Sequence, residues 1–343
     1  MSEELVESEP LDPTIPTNKS FSPLLPTLQT AWDSTSIGEG KFCWWKYKTT
    51  IIDGYEPRDT NVHFVFGIEY HHALEYYDHL KTEGHSHRES AEEVVSDLLQ
   101  RTWDKNLRRP WPSEDPHKNR GTLSRSVLWY LAQFENDSLE TLILDNGKPA
   151  VELHFDISLG YRSRLTGEEF RLVGHLDKIA LFEGRPAIVD RKTTKFQITQ
   201  SYFARFNPDN QVSTYLVGGN SILTNQSSPV LDMIIDAAQV LVNSTRFQRG
   251  IVGRTPAQLD EWIVDLFDFF EELERHVEKN HFPRNDKACG LPHTDPKTGE
   301  TRYGCPFREV CAADPSMRDL ILKANFSHRT WDPAQPRELV RSL

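Results

Sequence analysis

The stretch that most constrains this chain is residues 170–195, FRLVGHLDKIALFEGRPAIVDRKTTK. Alternating polarity and β-branched residues predict two strands, 170–182 and 186–194, with Glu183, Gly184 and Arg185 at the turn. A two-residue turn at Glu183-Gly184 sets Asp177 opposite Asp190, and one at Gly184-Arg185 sets it opposite Lys192. Side chains alternate with a period of two and opposed residues share a side, so either register collects Asp177, Asp190 and Lys192 on one face. A slip of one residue would scatter them.

Two carboxylates held close together repel each other and lose hydration, an arrangement that a cation relieves. Hard oxygen ligands of this kind suit Mg²⁺ or Mn²⁺. The Lys192 ammonium, two residues past Asp190, stands beside such an ion, where it can orient or help deprotonate a water or stabilise charge on a phosphoryl oxygen. The competing reading is a solvated hairpin face, because Asp-x-Lys alone recurs by chance. The preceding Gly174-x-x-Asp177 and the hairpin itself weigh against that reading.

At 343 residues the chain is long enough for a substantial core. With 51 acidic and 39 basic residues its formal charge is -12, which excludes a polycationic coating protein but not a local basic groove. No apolar run is long enough to cross a membrane, and no targeting-like apolar N-terminus is visible, so no membrane partner and a cytoplasmic location are expected. The expected division is an irregular lead-in at 1–25, a helical region at 26–138, a core at 139–282 and a cysteine-rich lobe with a tail at 283–343.

The lead-in is marked by Pro10, Pro13, Pro16 and Pro23. Residues 61–80 read as a buried strand or turn entering a helix, on which His71, Leu74 and Glu75 recur at helical spacing. His71 is either a core histidine satisfied by Glu75 or a neutral imidazole offered to the hairpin's metal. A polar helix is expected over 87–103 and another over 123–136. Between them RTWDKNLRRPWP carries Arg101, Lys105, Arg108 and Arg109 among Trp103 and Trp111, either an edge contacting a nucleic-acid strand or a solvated surface with anchoring indoles.

Strands are expected from 139 to 159, with Glu152 either an additional carboxylate or an edge residue. Asn207-Pro208 reads as a helix cap opening NQVSTYLVGG, on which Gln211 and Tyr215 share a face. Residues 230–241 read as a core strand or a buried helix. Over 255–280, Thr255, Pro256 and Gln258 form a helix start ahead of the stripe Trp262, Leu266, Phe269 and Phe270.

Cys289, Cys305 and Cys311 fall within 23 residues, and Cys43 completes a set of four. Four thiolates hold Zn²⁺ or an iron–sulfur cluster, and the absence of a close Cys-x-x-Cys knuckle favours a cluster joining the chain ends. The alternative is four independent buried thiols.

Taken together, GIEYHHALE at 67–75, GHLD at 174–177, IVDRKTT at 188–194, QVSTY at 211–215 and the four cysteines resemble the RecB-like branch of the PD-(D/E)XK nucleases. The likeness is to its phage and CRISPR-associated exonucleases with a four-cysteine cluster. It implies a restriction-endonuclease-like α/β fold, a mixed central sheet flanked by helices, with a cysteine-rich lobe joining the N- and C-terminal regions. It implies that His71, Asp177 and Asp190 bind metal, with the Arg191 carbonyl as a further ligand, and that Lys192 is the catalytic lysine. Gln211 and Tyr215 would support the active site and DNA contact. Cys43, Cys289, Cys305 and Cys311 would hold a [4Fe–4S] cluster, with Zn²⁺ as the alternative. Asp190 stands where many relatives carry glutamate, and the first two C-terminal cysteines are farther apart than in relatives.

The implied activity is Mg²⁺- or Mn²⁺-dependent exonucleolytic hydrolysis of DNA in recombination, repair or phage DNA processing, in a bacterial or phage-infected cell and alongside a DNA-processing partner. The rivals are a structure-dependent endonuclease or nickase, and a DNA-binding recombination accessory with little turnover.

Overall fold

The computed structural model describes residues 18–58, 62–104, 108–111, 113, 115–224, 229–290, 292–294 and 301–335. Most of the Pro-marked lead-in, Lys105, and the tail from 336 onward lie outside these residues. In chain order, β1 (Ala31–Trp32) is followed by α1 (Ser34–Phe42), α2 (Trp44–Tyr47), β2 (Tyr55–Pro57), α3 (Val62–Thr82) and α4 (His87–Arg101). Two short strands, β3 (Trp103–Asp104) and β4 (Arg109–Pro110), lead to α5 (Arg120–Gln133). The strands β5 (Glu140–Thr141), β6 (Val151–Arg162), β7 (Glu169–Phe182) and β8 (Arg185–Thr194) come next, then α6 (Gln200–Ala204) and α7 (Asn210–Ile222). After β9 (Asp232–Val240), β10 (Thr245–Gly253) and α8 (Pro256–Glu278), the chain ends in β11 (Pro292–Thr294), β12 (Thr301–Tyr303), α9 (Arg308–Ala312), α10 (Pro315–Asn325) and β13 (Phe326–His328).

The hairpin adopts the first of its two registers. Phe182 pairs with Arg185 and Lys178 with Val189, so the two-residue turn is Glu183-Gly184. Both turn residues have positive φ, 49° and 76°, the geometry whose twist matches that of a hairpin. β7 is the hub of a seven-stranded mixed sheet ordered β1-β7-β8-β9-β10, with β5 and β6 also on β7. β1 joins β7 in parallel and β9 joins β8 in parallel, while β6 and β8 run antiparallel to β7 and β10 antiparallel to β9.

Period-two alternation along β9 separates two apolar faces. Met233, Ile235 and Ala237 join the main core with α7 and α8, whereas Ala238 and Val240 join a second cluster with α3, α4 and α5. Helices therefore cover both faces. On β8, Ile188 lies in the main core, and Asp190 and Lys192 follow it at the same parity. α7 lies very close to this face: a Cβ on Gly218 would sit 2.4 Å from Phe155, and one on Gly219 would sit 2.6 Å from Ile188. The paired glycines permit that approach.

Two local expectations change. The stretch 62–82 is helical throughout, because its apolar residues complete the α3 face packed on α4 and α5. The cap of α7 is Asp209 rather than Asn207: its carboxylate accepts from the amides of Gln211 and Val212, while Asn207 Oδ1 accepts from Arg254. The helix over 256–278 forms where the pattern placed it, with Thr255 and Gln258 completing the capping box of α8, and of the two readings left open for 230–241 the strand is the one adopted, over 232–240.

The expected cysteine-rich lobe is not present. The four cysteines are free. The C-terminal region is organised instead by Phe307, Val310, Leu322 and Phe326, which pack with Trp45 and Tyr55. Phe307 and Phe326 stack at 4.7 Å, and β13 pairs with β2. Cys305 contributes to this cluster as a small apolar side chain. Apolar packing and strand pairing thus join the chain ends.

Candidate active site

The two carboxylates meet where β7 and β8 part. Pairing ends at Lys178 and Val189, one residue short of Asp177 and Asp190, and the Arg191 amide donates to Asp177 Oδ2 at 3.0 Å. On the other side of β8 the ladder with β9 continues through Thr194. The fork therefore opens toward a pair of acidic side chains while its outer arm stays anchored.

His71, on α3, places Nδ1 3.2 Å from Asp177 Oδ2. Lys192 Nζ stands 2.8 Å from Asp190 Oδ2 and donates to Gln211 Oε1 at 2.9 Å. Gln211 Nε2 in turn donates to the Tyr215 hydroxyl at 3.0 Å. The Lys192 contact is an ion pair, and beyond it the buried Asp190 Oδ2 has no hydrogen-bond donor. Side-chain exposure is 6% at Asp177 and 4% at Asp190, against 28% at His71 and 17% at Lys192. Burial raises the Asp190 carboxyl above its ordinary range; Lys192 opposes the shift, Asp177 adds to it and His71 opposes it.

Behind the fork stands a carboxylate that sequence reasoning missed. Asp78, on α3, accepts from Lys178 Nζ at 2.8 Å through Oδ1 and from Arg191 Nη2 through Oδ2. Burial pushes its carboxyl up, but Lys178 and Arg191 outweigh burial and hold it below the ordinary range. Burial would depress the Arg191 guanidinium, yet Asp78 and other anionic neighbours leave it raised. The available signal was spacing: Asp78 is seven residues past His71, two turns along one helical face. Tyr202 was also missed. Its hydroxyl is buried without a hydrogen bond; burial, countered by Arg205 and supported by Asp190, pushes the phenol up to about 12.

The remaining candidates have other surroundings. Arg101 is engaged with Glu69 through Nε at 2.8 Å and Nη2 at 3.1 Å, and Arg120 rather than a strand-facing cation lies over Trp103. Glu152, half-buried on β6, has a positive φ of 49°.

The expected [4Fe–4S] cluster, with Zn²⁺ as its alternative, is corrected. Among the described residues no group of three or more His, Cys, Asp or Glu side chains is placed to hold a metal ion. Asn285 engages two of the thiols: Cys43 Sγ accepts from its amide at 3.4 Å, and Cys289 Sγ donates to its carbonyl at 3.7 Å. Burial raises the Cys305 thiol and pushes that of Cys311 up to about 11.

The same test bears differently on a hard cation. Mg²⁺ needs no cage of protein side chains; it keeps several waters and binds through one or two carboxylates with substrate phosphate. The orphaned Asp190 oxygen and the adjoining Asp177 fit that requirement. His71 and Lys192 are turned onto these carboxylates and supply opposite charge or polarity.

A sequence model of the PD-(D/E)XK nuclease superfamily matches residues 35–312. No curated protein matches significantly. Among solved structures, a presumed exonuclease from Eubacterium rectale is similar at 13% identity and a TM-score of 0.40, covering 76% of this chain and 87% of its own. The protein SSO0001 is similar at 10% identity and a TM-score of 0.26, covering 47% of this chain and 61% of its own. The family match reaches the superfamily and does not extend to a four-cysteine branch. No helix among the described residues is long and apolar enough to cross a membrane.

Proposed function

Since the chain belongs to the PD-(D/E)XK nuclease superfamily, which supports nucleic-acid cleavage in general, we propose that it is a Mg²⁺- or Mn²⁺-dependent exonuclease acting on DNA. The observation that carries the reading is the fork at Asp177 and Asp190, with Lys192 2.8 Å from the orphaned Asp190 oxygen. Asp177 and Asp190, with His71 and the Arg191 carbonyl, would hold the cation. When bound, it would neutralise phosphoryl charge and make a water more acidic.

The protein's own groups divide the remaining work. Lys192 is fixed between Asp190 and Gln211, so its ammonium has a defined position from which to orient a water or stabilise charge developing on a phosphoryl oxygen. Gln211 donates its amide to Tyr215 and presents its carbonyl to the lysine. The close seat of α7 on the sheet, made by Gly218 and Gly219, fixes the helix that carries both residues.

Incubation with Mg²⁺ or Mn²⁺ and single-stranded DNA, linear and circular, labelled separately at each end when linear, tests this reading. Digestion of the linear strand with sparing of the circle is expected. Cleavage of the circle would replace it with an endonuclease, and binding without cleavage in either metal would replace it with an accessory protein.

A further inference from the structure

We infer that Asp78 is a positioning residue for the metal-binding carboxylates, acting through Lys178 and Arg191; the inference rests on the reading of Asp177 and Asp190 as metal ligands. A single buried side chain grips the two residues that immediately follow those carboxylates, one on each arm of the fork. Lys178 Nζ lies 2.8 Å from Oδ1, and Arg191 Nη2 bonds Oδ2.

The geometry couples these contacts to the site. Arg191 is held by Asp78 through its guanidinium and donates its amide to Asp177 at 3.0 Å, so the pull of α3 on Arg191 sets the height of that amide. Lys178 is the last β7 residue paired with β8 before the fork. Anchoring its side chain fixes where the arms begin to separate. His71, two turns back on the same helix, contacts Asp177 directly. α3 therefore grips the fork at two levels, about 10 Å apart along its axis. Displacing Asp78 would alter the spacing of both carboxylates without touching a substrate.

A buried triad of this kind also has a plain stabilising role, and breaking it lowers stability. The test must therefore read the site itself. Mn²⁺ binding to the full chain, followed by the EPR signal of the free ion, is measured for wild type, Asp78→Asn, Asp78→Glu and Asp190→Ala at a temperature where circular dichroism finds each folded. Lys178→Met, which leaves the Asp78 and Arg191 pair intact, provides a milder break. Asp78→Asn is expected to raise the Mn²⁺ dissociation constant about 10-fold or more, as loss of an orienting partner does. The metal concentration for half-maximal cleavage should rise with it while KM for DNA stays constant. Lys178→Met should shift both in the same direction by less, and Asp78→Glu should recover part of the loss.

Unchanged Mn²⁺ affinity in the folded Asp78 and Lys178 variants, beside lost binding in Asp190→Ala, would overturn the positioning role alone. Wild-type protein that binds no Mn²⁺, or Asp190→Ala that binds it normally, would overturn the metal-site reading and this inference with it.

Discussion

The Arg191 amide donates to Asp177 Oδ2 at 3.0 Å, bridging the gap where β7 and β8 cease to pair beyond Lys178 and Val189. Asp177 is thus both a structural acceptor and one half of the acidic pair, and substitution separates the roles. Asp177→Asn keeps an oxygen for the amide and should remain folded, while losing more than about 100-fold in cleavage rate. Thermal melting and single-turnover cleavage, run on the same preparation, check both halves. Retained cleavage would remove Asp177 from the chemistry.

Lys192 stands 2.8 Å from Asp190. Lys192→Met should lower turnover about 10²- to 10³-fold with little change in KM for DNA, the pattern for an interaction made in the transition state. It also strips a buried carboxylate of its cation. Melting temperature should therefore fall in Lys192→Met and recover when Asp190→Asn is added, because the second change removes the unpaired charge. A double variant no more stable than the single one would contradict the ion pair.

Acid sensitivity follows from Asp78. Its carboxyl is held below the ordinary value of 3.8 in the folded chain, against burial, by Lys178 and Arg191. A depressed carboxyl contributes stability above its unfolded pKa and loses it as pH falls through the folded value. Wild type should therefore lose stability progressively below about pH 4. Asp78→Asn should be less stable at neutral pH and show a shallower decline in that acid window. Melting temperature measured from pH 2 to 7 decides it; parallel curves would assign the acid response to other groups.

The C-terminal region depends on Phe307 rather than on thiolates. Phe307 is fully buried and stacks on Phe326, so Phe307→Ala should cost about 3–5 kcal/mol. Wild type should purify colourless and without stoichiometric iron, sulfide or zinc, and Cys311→Ala and Cys289→Ala should melt close to it. Iron, sulfide and zinc analysis of the wild-type protein completes the check.

The hairpin and the capped helix at 256–278 were legible because each rests on local rules, alternation and a capping box, whereas the apolar run at 230–241 fitted a strand and a buried helix alike until its pairing with β8 and β10 decided. Turn choice between two registers was not legible, since Glu183-Gly184 and Gly184-Arg185 satisfy the same pattern until pairing along the strands decides. The Asn207 cap failed because Asp209 offers a carboxylate to two amides just inside the proline. The proposed site was legible where its members lie close in sequence, as Asp190 and Lys192 do. Asp78 was hidden because its partners are 100 and 113 residues away. The cysteine expectation counted ligand types in sequence, and counting cannot show whether thiols face a common point or, as at Cys305, fill an apolar cluster.

The central claim is that Asp177, Asp190 and Lys192 form a metal-dependent hydrolytic centre. Its most direct test is single-turnover cleavage of end-labelled linear DNA by wild type and by folded Asp190→Ala, with Mg²⁺ or Mn²⁺ and with EDTA. Cleavage by wild type only with metal, and none by the variant under either condition, is expected. Cleavage of equal rate by both proteins, or by wild type in EDTA, would contradict it.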